Sequence, residues 1–243
     1  MTTNTTDWYT SWFNTPFYHI LYKDRDHTEA QSFMENLTSY LNIPKGAHIL
    51  DLACGKGRHS LYLNSIGYKV TGLDLSEESI AYAKQFENDN LHFDVHDMSI
   101  PYHQKFDAVF NLFTSFGYFK DEADNLNTIK AIKSNLKSDG IGVIDFMNVD
   151  YVTEHLVEED VKHIEGIEFH QQRRLVDGYI VKDITFNAND GDYHFTERVK
   201  AFRLKDFEEM LTTAGLTLLD VFGDYKLKPF HQKTSERLIL TFM

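Results

Sequence analysis

The sequence predicts an α/β protein built on a doubly wound sheet, and three observations lead there. Residues 49–60 read Ile-Leu-Asp-Leu-Ala-Cys-Gly-Lys-Gly-Arg-His-Ser, an apolar strand running into a glycine turn. A second apolar run, 69–73, ends at Asp74. Beyond it, strands and helices alternate through five cycles, the pattern of a parallel sheet with crossover helices. Strand, glycine turn, helix, strand, acid is the order by which such a sheet places a nucleoside at the carboxyl ends of its first two strands. Gly55 and Gly57 lack a Cβ, so the backbone there can take positive φ and lie against a ligand. Asp74 is placed to accept hydrogen bonds from two ribose hydroxyls.

Each element has its own warrant. Trp8, Tyr9, Trp12, Phe13, Phe17, Tyr18 and Tyr22 crowd the first two dozen residues, an aromatic density that predicts packing on the body of the protein. Residues 28–41 have helical periodicity, with Phe33, Leu37 and Leu41 on one face and Pro44-Lys45-Gly46 ending it. The first strand is 48–52. A helix then carries Leu61, Leu63 and Ile66 to a stop at Gly67, and strand two follows at 69–73. Ser76 reads as an N-cap ahead of Glu77 and Glu78, opening a helix to about residue 87. Strand three, 91–95, alternates; strand four, 106–112, is apolar enough to be buried on both faces. Residues 128–136 lie in the next helix, and Ser138-Asp139-Gly140 turns it into strand five at 141–146.

After Asn148 the period changes from helical to two. Segments 163–175, 179–187 and 192–202 alternate, and Asp177-Gly178 and Asn189-Asp190-Gly191 between them are hairpin signals. Three antiparallel strands are expected. A helix over 205–214 stops at Gly215, and 216–222 with 236–242 form the closing strands. The expected organisation is one domain over 1–243: a cap at 1–45, a ligand-binding core at 46–150, an antiparallel β insertion at 160–203, and a C-terminal helix and hairpin at 204–243. The insertion is read as a lid or a dimer surface, so the chain is expected to be a monomer or a homodimer.

A net charge of -13 over 243 residues disfavours a nucleic-acid partner, whose phosphates call for clustered Lys and Arg. The single cysteine, Cys54, cannot form an internal disulfide and fits a reducing compartment. Its place in the turn is best explained by a need for a small side chain. The first residues have neither a basic start nor an apolar core, and no stretch nears the roughly twenty apolar residues that span a bilayer. A cytoplasmic protein is expected.

Spacing decides between nucleosides. A nicotinamide dinucleotide fold calls for Gly-x-Gly-x-x-Gly, and here the third position is Ser60. What stands instead is Asp51-x-Ala53-x-Gly55-x-Gly57, which resembles motif I of class I S-adenosylmethionine-dependent methyltransferases, with Ala53 in place of the first glycine. The resemblance extends to Val70-Thr71-Gly72-Leu73-Asp74-Leu75-Ser76, to His96-Asp97-Met98, to Phe106-Asp107-Ala108-Val109-Phe110-Asn111, and to a fifth strand at 140–145. It covers residues 48–146 in order. The run Thr114-Ser115-Phe116-Gly117-Tyr118-Phe119 resembles one found among bacterial small-molecule methyltransferases.

The resemblance implies a Rossmann-like sheet of seven strands, mostly parallel with an antiparallel last strand. It implies S-adenosylmethionine as cofactor, S-adenosylhomocysteine as product, and methyl transfer to N or O of a small molecule. Ala53, Cys54, Gly55 and Gly57 would face the methionine moiety, with Asp51 beside them. Asp74 and Leu75 would hold the ribose, Asp97 and Met98 would meet the adenine, and Asn111 would lie near the sulfonium. From the residue chemistry, Tyr22 and Arg25 form an N-terminal pair, with Arg25 suited to bidentate binding of a carboxylate. A surface arginine paired with Asp24, Asp26 or Glu29 is the competing account.

Thr114, Phe116, Tyr118 and Tyr18 are the candidate pocket residues, with core packing the alternative for Phe116. In-line methyl transfer needs no protein nucleophile, and no triad is visible. Tyr118, His59, His231 and His19 are the candidates for proton transfer, and His59, following the glycine turn, is also a candidate to bind the cofactor, although nothing separates the histidines from surface residues. No metal is expected: His92, Asp94 and His96 share one strand face, but an exposed polar edge is the commoner outcome. Asn111-Leu112-Phe113-Thr114 departs from the Asn/Asp-Pro-Pro-Tyr/Phe run used on nucleobase amines. Two other functions fit parts of the pattern: a protein that binds the sulfur nucleosides without transfer, and a nicotinamide oxidoreductase.

Overall fold

The computed structural model describes residues 12–23, 27–119, 121–188 and 191–243. They form two compact units, one of residues 26–151 and 202–243, the other of residues up to 25 with 152–201.

The larger unit is a seven-stranded sheet. Its strands are β1 (His48–Leu52), β2 (Lys69–Asp74), β3 (Leu91–Val95), β4 (Phe106–Asn111), β5 (Leu136–Met147), β10 (Leu218–Phe222) and β11 (Arg237–Phe242), in the order β10-β11-β5-β4-β1-β2-β3. The first five pair in parallel, and β11 runs antiparallel to both β5 and β10. Strand order reverses between β1 and β4, so the crevice at their carboxyl ends is where such a sheet receives a ligand.

Both faces of the sheet are covered. Val143 joins a core with Ala108, Phe110 and Ile239, to which helix α2 (His27–Tyr40) adds Phe33, Met34 and Leu37. Phe146, three residues on and therefore on the opposite face, packs on Phe202 and on Phe207 of α7 (Leu204–Ala214). Two-faced burial explains why these strands read as apolar runs without alternation. The remaining crossovers are α3 (Arg58–Ser65), α4 (Glu77–Ala83) with a 3₁₀ turn after it, and α5 (Glu122–Asn135), and a short α6 (Val149–Glu154) follows β5. Ser76 caps α4 by accepting from the Ser79 N–H, and Gly215 ends α7 at φ 72°.

Two expectations need correction. Ser138-Asp139-Gly140 is not a turn between helix and strand: β5 starts at Leu136, and the pairing jumps from Phe106↔Leu136 to Ala108↔Ile141. The excess residues leave the ladder as an exposed bulge, which composition alone cannot tell from a turn. The expected strand over 163–175 is in fact two.

In the smaller unit β6 (Glu159–Ile164), β7 (Ile167–Val176), β8 (Tyr179–Ala188) and β9 (Gly191–Lys200) form an antiparallel meander. Glu165 and Gly166 turn β6 into β7 at φ 51° and 80°, as Asp177 and Gly178 turn β7 into β8 at 51° and 73°. Positive φ at both central residues is the two-residue hairpin geometry. Glu-Gly is a weaker signal for it than Asp-Gly, and β6 is too exposed to alternate, so its sequence carries little sign of a strand.

One face of this meander packs on α1 (Pro16–Leu21) and the fully buried Trp12, through Phe169, Ile184, Phe186 and Phe195. The expected packing of the aromatic N-terminal segment is met here for Trp12, Phe13, Phe17, Tyr18 and Tyr22. Trp8, Tyr9 and Arg25 lie outside the described residues. Among the described residues no helix is long and apolar enough to cross a membrane.

Candidate active site

The site is built at the carboxyl end of β1. The chain leaves the strand through Ala53, Gly55 and Gly57, all left-handed, at φ 64°, 55° and 79°. The two glycines do different work. A Cβ on Gly55 would meet nothing within 4 Å, so this backbone lies open to a ligand. A Cβ on Gly57 would fall 2.6 Å from the Phe93 ring, so here glycine is required by packing. Alanine at 53 is one methyl larger than the motif's glycine, but its burden is conformational, because an L-residue is disfavoured in this region.

Asp74 ties the turn to β2. Its carboxylate accepts from the Gly55 N–H at 2.7 Å and from the Ser76 N–H at 2.9 Å. Burial raises its pKa against these backbone bonds. Leu75 beside it is 42 % exposed, an apolar surface next to the acid. Asp51 is buried under the turn and accepts from the Ser60 hydroxyl at 2.6 Å. Burial pushes it up to about 6, with the Asp74 charge adding to the effect. Burial, Asp51 and Asp74 push the Cys54 thiol well above its ordinary value, so it is no source of thiolate.

Beyond β3, Asp97 accepts from both the N–H and the hydroxyl of Ser99 at 2.8 Å. The Met98 sulfur lies 3.9 Å from the Asn111 amide nitrogen. That nitrogen also donates to the Leu52 carbonyl at 3.0 Å, tying β4 to β1. The Asn111 Oδ1 is buried and meets no partner among the described residues. A buried acceptor left unmet is costly, and a cationic ligand arriving at the β1/β4 crevice would satisfy it. With the open backbone at Gly55 and the acid at Asp74, this fits S-adenosylmethionine, which carries an ammonium, a sulfonium and a ribose.

The loop after β4 continues the site. Phe113 and Thr114 are both left-handed, at φ 58° and 60°. Phe113 stacks on the His59 ring at 4.3 Å, and the Arg58 guanidinium lies 2.8 Å from His59 Nε2. Phe116 is a correction: it is fully buried against Phe202 and Phe207, so it is core and not pocket wall. Tyr118 is half-buried. His231 is exposed and lines a cleft of about 730 Å³ with Glu29, Ser32, Asn36, Tyr225 and Lys226.

Tyr18, His19 and Tyr22 belong to the meander unit. There the Tyr22 hydroxyl meets the Glu197 carboxylate at 2.7 and 2.9 Å, and Lys182 donates to it. The Trp12 indole donates to the same carboxylate at 2.7 Å. Burial pushes Lys182 down to about 8, opposed by the Glu197 charge. Asp94 meets Lys84 and Tyr102, and His92 on the same strand is exposed.

A buried ion pair completes the neighbourhood, joining Asp145 at the end of the fifth-strand run to Arg237, which lies outside every motif. Asp145, fully buried in β5, accepts from Arg237 Nε at 2.8 Å and lies 2.7 Å from its Nη2. It also accepts from the Phe113 N–H at 2.8 Å and from the Tyr225 hydroxyl at 3.4 Å. Asp145 interrupts the apolar run of β5, while Arg237 stands at the start of β11 and carries no comparable local signal.

Comparison with known proteins gives the family and the fold. A family described as "Methyltransferase domain" matches residues 43–215. A glycine/sarcosine N-methyltransferase of Aphanothece halophytica is 32 % identical over 220 residues, 86 % of this chain and 78 % of that one. The dTDP-3-amino-3,6-dideoxy-alpha-D-glucopyranose N,N-dimethyltransferase of Streptomyces fradiae is 26 % identical over 185 residues, 72 % of each. A solved S-adenosylmethionine-dependent methyltransferase from Clostridium acetobutylicum ATCC 824 shares the fold, with a TM-score of 0.78 at 23 % identity, covering 92 % of this chain and 94 % of that one. With its family matched over more than half its length and a relative 32 % identical over most of both chains, the chain belongs to the methyltransferase-domain family and is an S-adenosylmethionine-dependent methyltransferase.

Proposed function

We propose that the protein methylates a nitrogen or oxygen of a small polar molecule. The observation that carries this is the likeness, over most of the chain, to enzymes whose names give glycine, sarcosine and an amino sugar as acceptors. The net charge of -13 and the missing Asn-Pro-Pro-Tyr run weigh against nucleic acid. The thiol of the only cysteine suits a reducing compartment, and we assign the protein to the cytoplasm.

When bound, the sulfonium would supply an electrophilic methyl: an acceptor lone pair would bond to the methyl carbon in line as the carbon–sulfur bond breaks, S-adenosylhomocysteine would leave as the neutral thioether, and the acceptor's proton would pass to a base or to solvent. The chain's part is to bind and align. In this reading Asp74 accepts from the ribose hydroxyls, the open backbone at Gly55 lets the methionine end approach, Asp97 and Met98 border the adenine, and Asn111 Oδ1 meets positive charge. The acceptor enters past the loop of residues 113–118, with Thr114 and Tyr118 at its edge. Tyr118, His59, His231 and His19 are the candidates for removing the acceptor's proton, with solvent as the alternative.

The test is release of S-adenosylhomocysteine on incubation with S-adenosylmethionine and, separately, small amines, amino sugar nucleotides, phenols, tRNA and a protein mixture. Turnover with one of the small acceptors supports the reading. Turnover with macromolecules alone overturns it, and binding without turnover on any of them favours a protein that holds the nucleoside without transfer.

A further inference from the structure

We propose that Arg237 is a positioning residue for the transfer site: acting through Asp145, it holds the left-handed turn at Phe113–Thr114 in the geometry that binds the cofactor. The inference rests on the methyltransferase reading and adds to it a residue on the last strand, remote in sequence from every motif.

Phe113 and Thr114 follow β4 directly, at the crevice where strand order reverses, two and three residues after Asn111. Two successive non-glycine residues at φ 58° and 60° form a turn that the chain would not adopt unaided. Three bonds impose it. Asp145 Oδ2 accepts from the Phe113 N–H at 2.8 Å, and the Asp145 carbonyl accepts from the Thr114 N–H at 2.9 Å. Arg237 Nη2 donates to the Thr114 hydroxyl at 2.9 Å.

Arg237 thus binds the turn twice, directly through Thr114 and indirectly by fixing the carboxylate that receives Phe113. The fork of the guanidinium suits both tasks, since Nε and Nη2 are spent on Asp145 while Nη2 also reaches Thr114. Asp145 Oδ1 takes the guanidinium, which frees Oδ2 for the backbone. Without Arg237 a fully buried carboxylate would lose its counter-charge, and it would protonate or rearrange. Either change alters what Phe113 is bonded to.

The consequence reaches the cofactor turn through ring contacts. Phe113 stacks on His59, the second residue after Gly57, at 4.3 Å and 15°. It also meets Tyr225, which leans on Phe33 at 4.5 Å and sets its hydroxyl toward Asp145. A pair that merely stabilised the fold could bridge β5 and β11 anywhere along their length. This one is set at the carboxyl end of β5, and its spare hydrogen-bonding capacity is spent on the loop that borders the ligand crevice.

The test is calorimetric titration of S-adenosylhomocysteine into wild type, Arg237→Gln, Arg237→Lys and Thr114→Val, with a thermal midpoint for each. Thr114→Val removes only the hydroxyl contact and leaves the ion pair. The account predicts that Arg237→Gln weakens binding about tenfold or more, that Arg237→Lys recovers part of it, and that Thr114→Val weakens binding about threefold with a midpoint lowered less than in Arg237→Gln. Equal affinity in all three variants, with only the midpoints lowered for Arg237, overturns the inference. Should Arg237→Gln not fold, an unaltered affinity in Thr114→Val overturns it. A wild type that does not bind the nucleoside sinks the methyltransferase reading itself, which the unmutated protein alone reveals.

Discussion

Replacing Asp51 by Asn should make the protein more stable at neutral pH, and by an amount that grows with pH. Asp51 is 2 % exposed, accepts from the Ser60 hydroxyl at 2.6 Å, and has Asp74 as a like-charged neighbour. Burial and that neighbour push its pKa from 3.8 up to about 6. A folded pKa above the unfolded one means the fold prefers the protonated acid. Its contribution is therefore fully present below pH 3.8 and is lost as pH rises through about 6. At about 1.4 kcal/mol for each unit between the two values, ionised Asp51 costs about 3 kcal/mol at pH 7.5. Asn keeps an oxygen for Ser60 and carries no charge.

Urea unfolding of both proteins side by side, without cofactor and at steps from pH 4 to 7.5, isolates this term because the other titrating groups are common to both. The stability difference should move by about 2 kcal/mol in favour of Asp51→Asn across that range, steadily between pH 4 and about 6 and levelling off above it. A difference independent of pH would refute the reasoning. A drift in favour of wild type would show instead that the site holds the carboxylate as an anion.

Two further predictions concern the glycine geometry. Ala53→Gly should stabilise the protein by about 1 kcal/mol in the same unfolding assay, since φ 64° is a region glycine enters without strain; a lower midpoint would mean that the methyl packs usefully. Gly72→Ala should destabilise by about 1–3 kcal/mol, because its Cβ would fall 2.5 Å from the Phe93 ring and 2.9 Å from Cys54 Sγ. Adding Phe93→Leu should recover part of that loss, and no recovery would place the strain elsewhere.

What the sequence made legible was local. The glycine turn, Asp74 and the Ser76 cap lie within a few residues of the signals that announce them, and the structure forms each as expected. The Asp145–Arg237 pair spans 92 residues and is joined only by the antiparallel pairing of β5 with β11, which no local pattern encodes. Phe113 and Thr114 were opaque for a related reason: neither favours the left-handed region, and their conformation is imposed by bonds to Asp145 and Arg237. Phe116 lies in a loop by sequence and in the core by packing, because the chain dives under Phe202 and Phe207 just after the turn. Ala53 shows the converse limit. Its size was readable from the motif, but its cost lies in a dihedral angle.

The account turns on the nucleoside held at the β1/β4 crevice. The most direct measurement is calorimetric titration of the purified protein with S-adenosylmethionine, S-adenosylhomocysteine and NADH, repeated with Asp74→Ala. Saturable binding of the two sulfur nucleosides and not of NADH, weakened at least about tenfold by the substitution, is the predicted result. Binding of NADH in their place, or sulfur-nucleoside binding indifferent to Asp74, would contradict it.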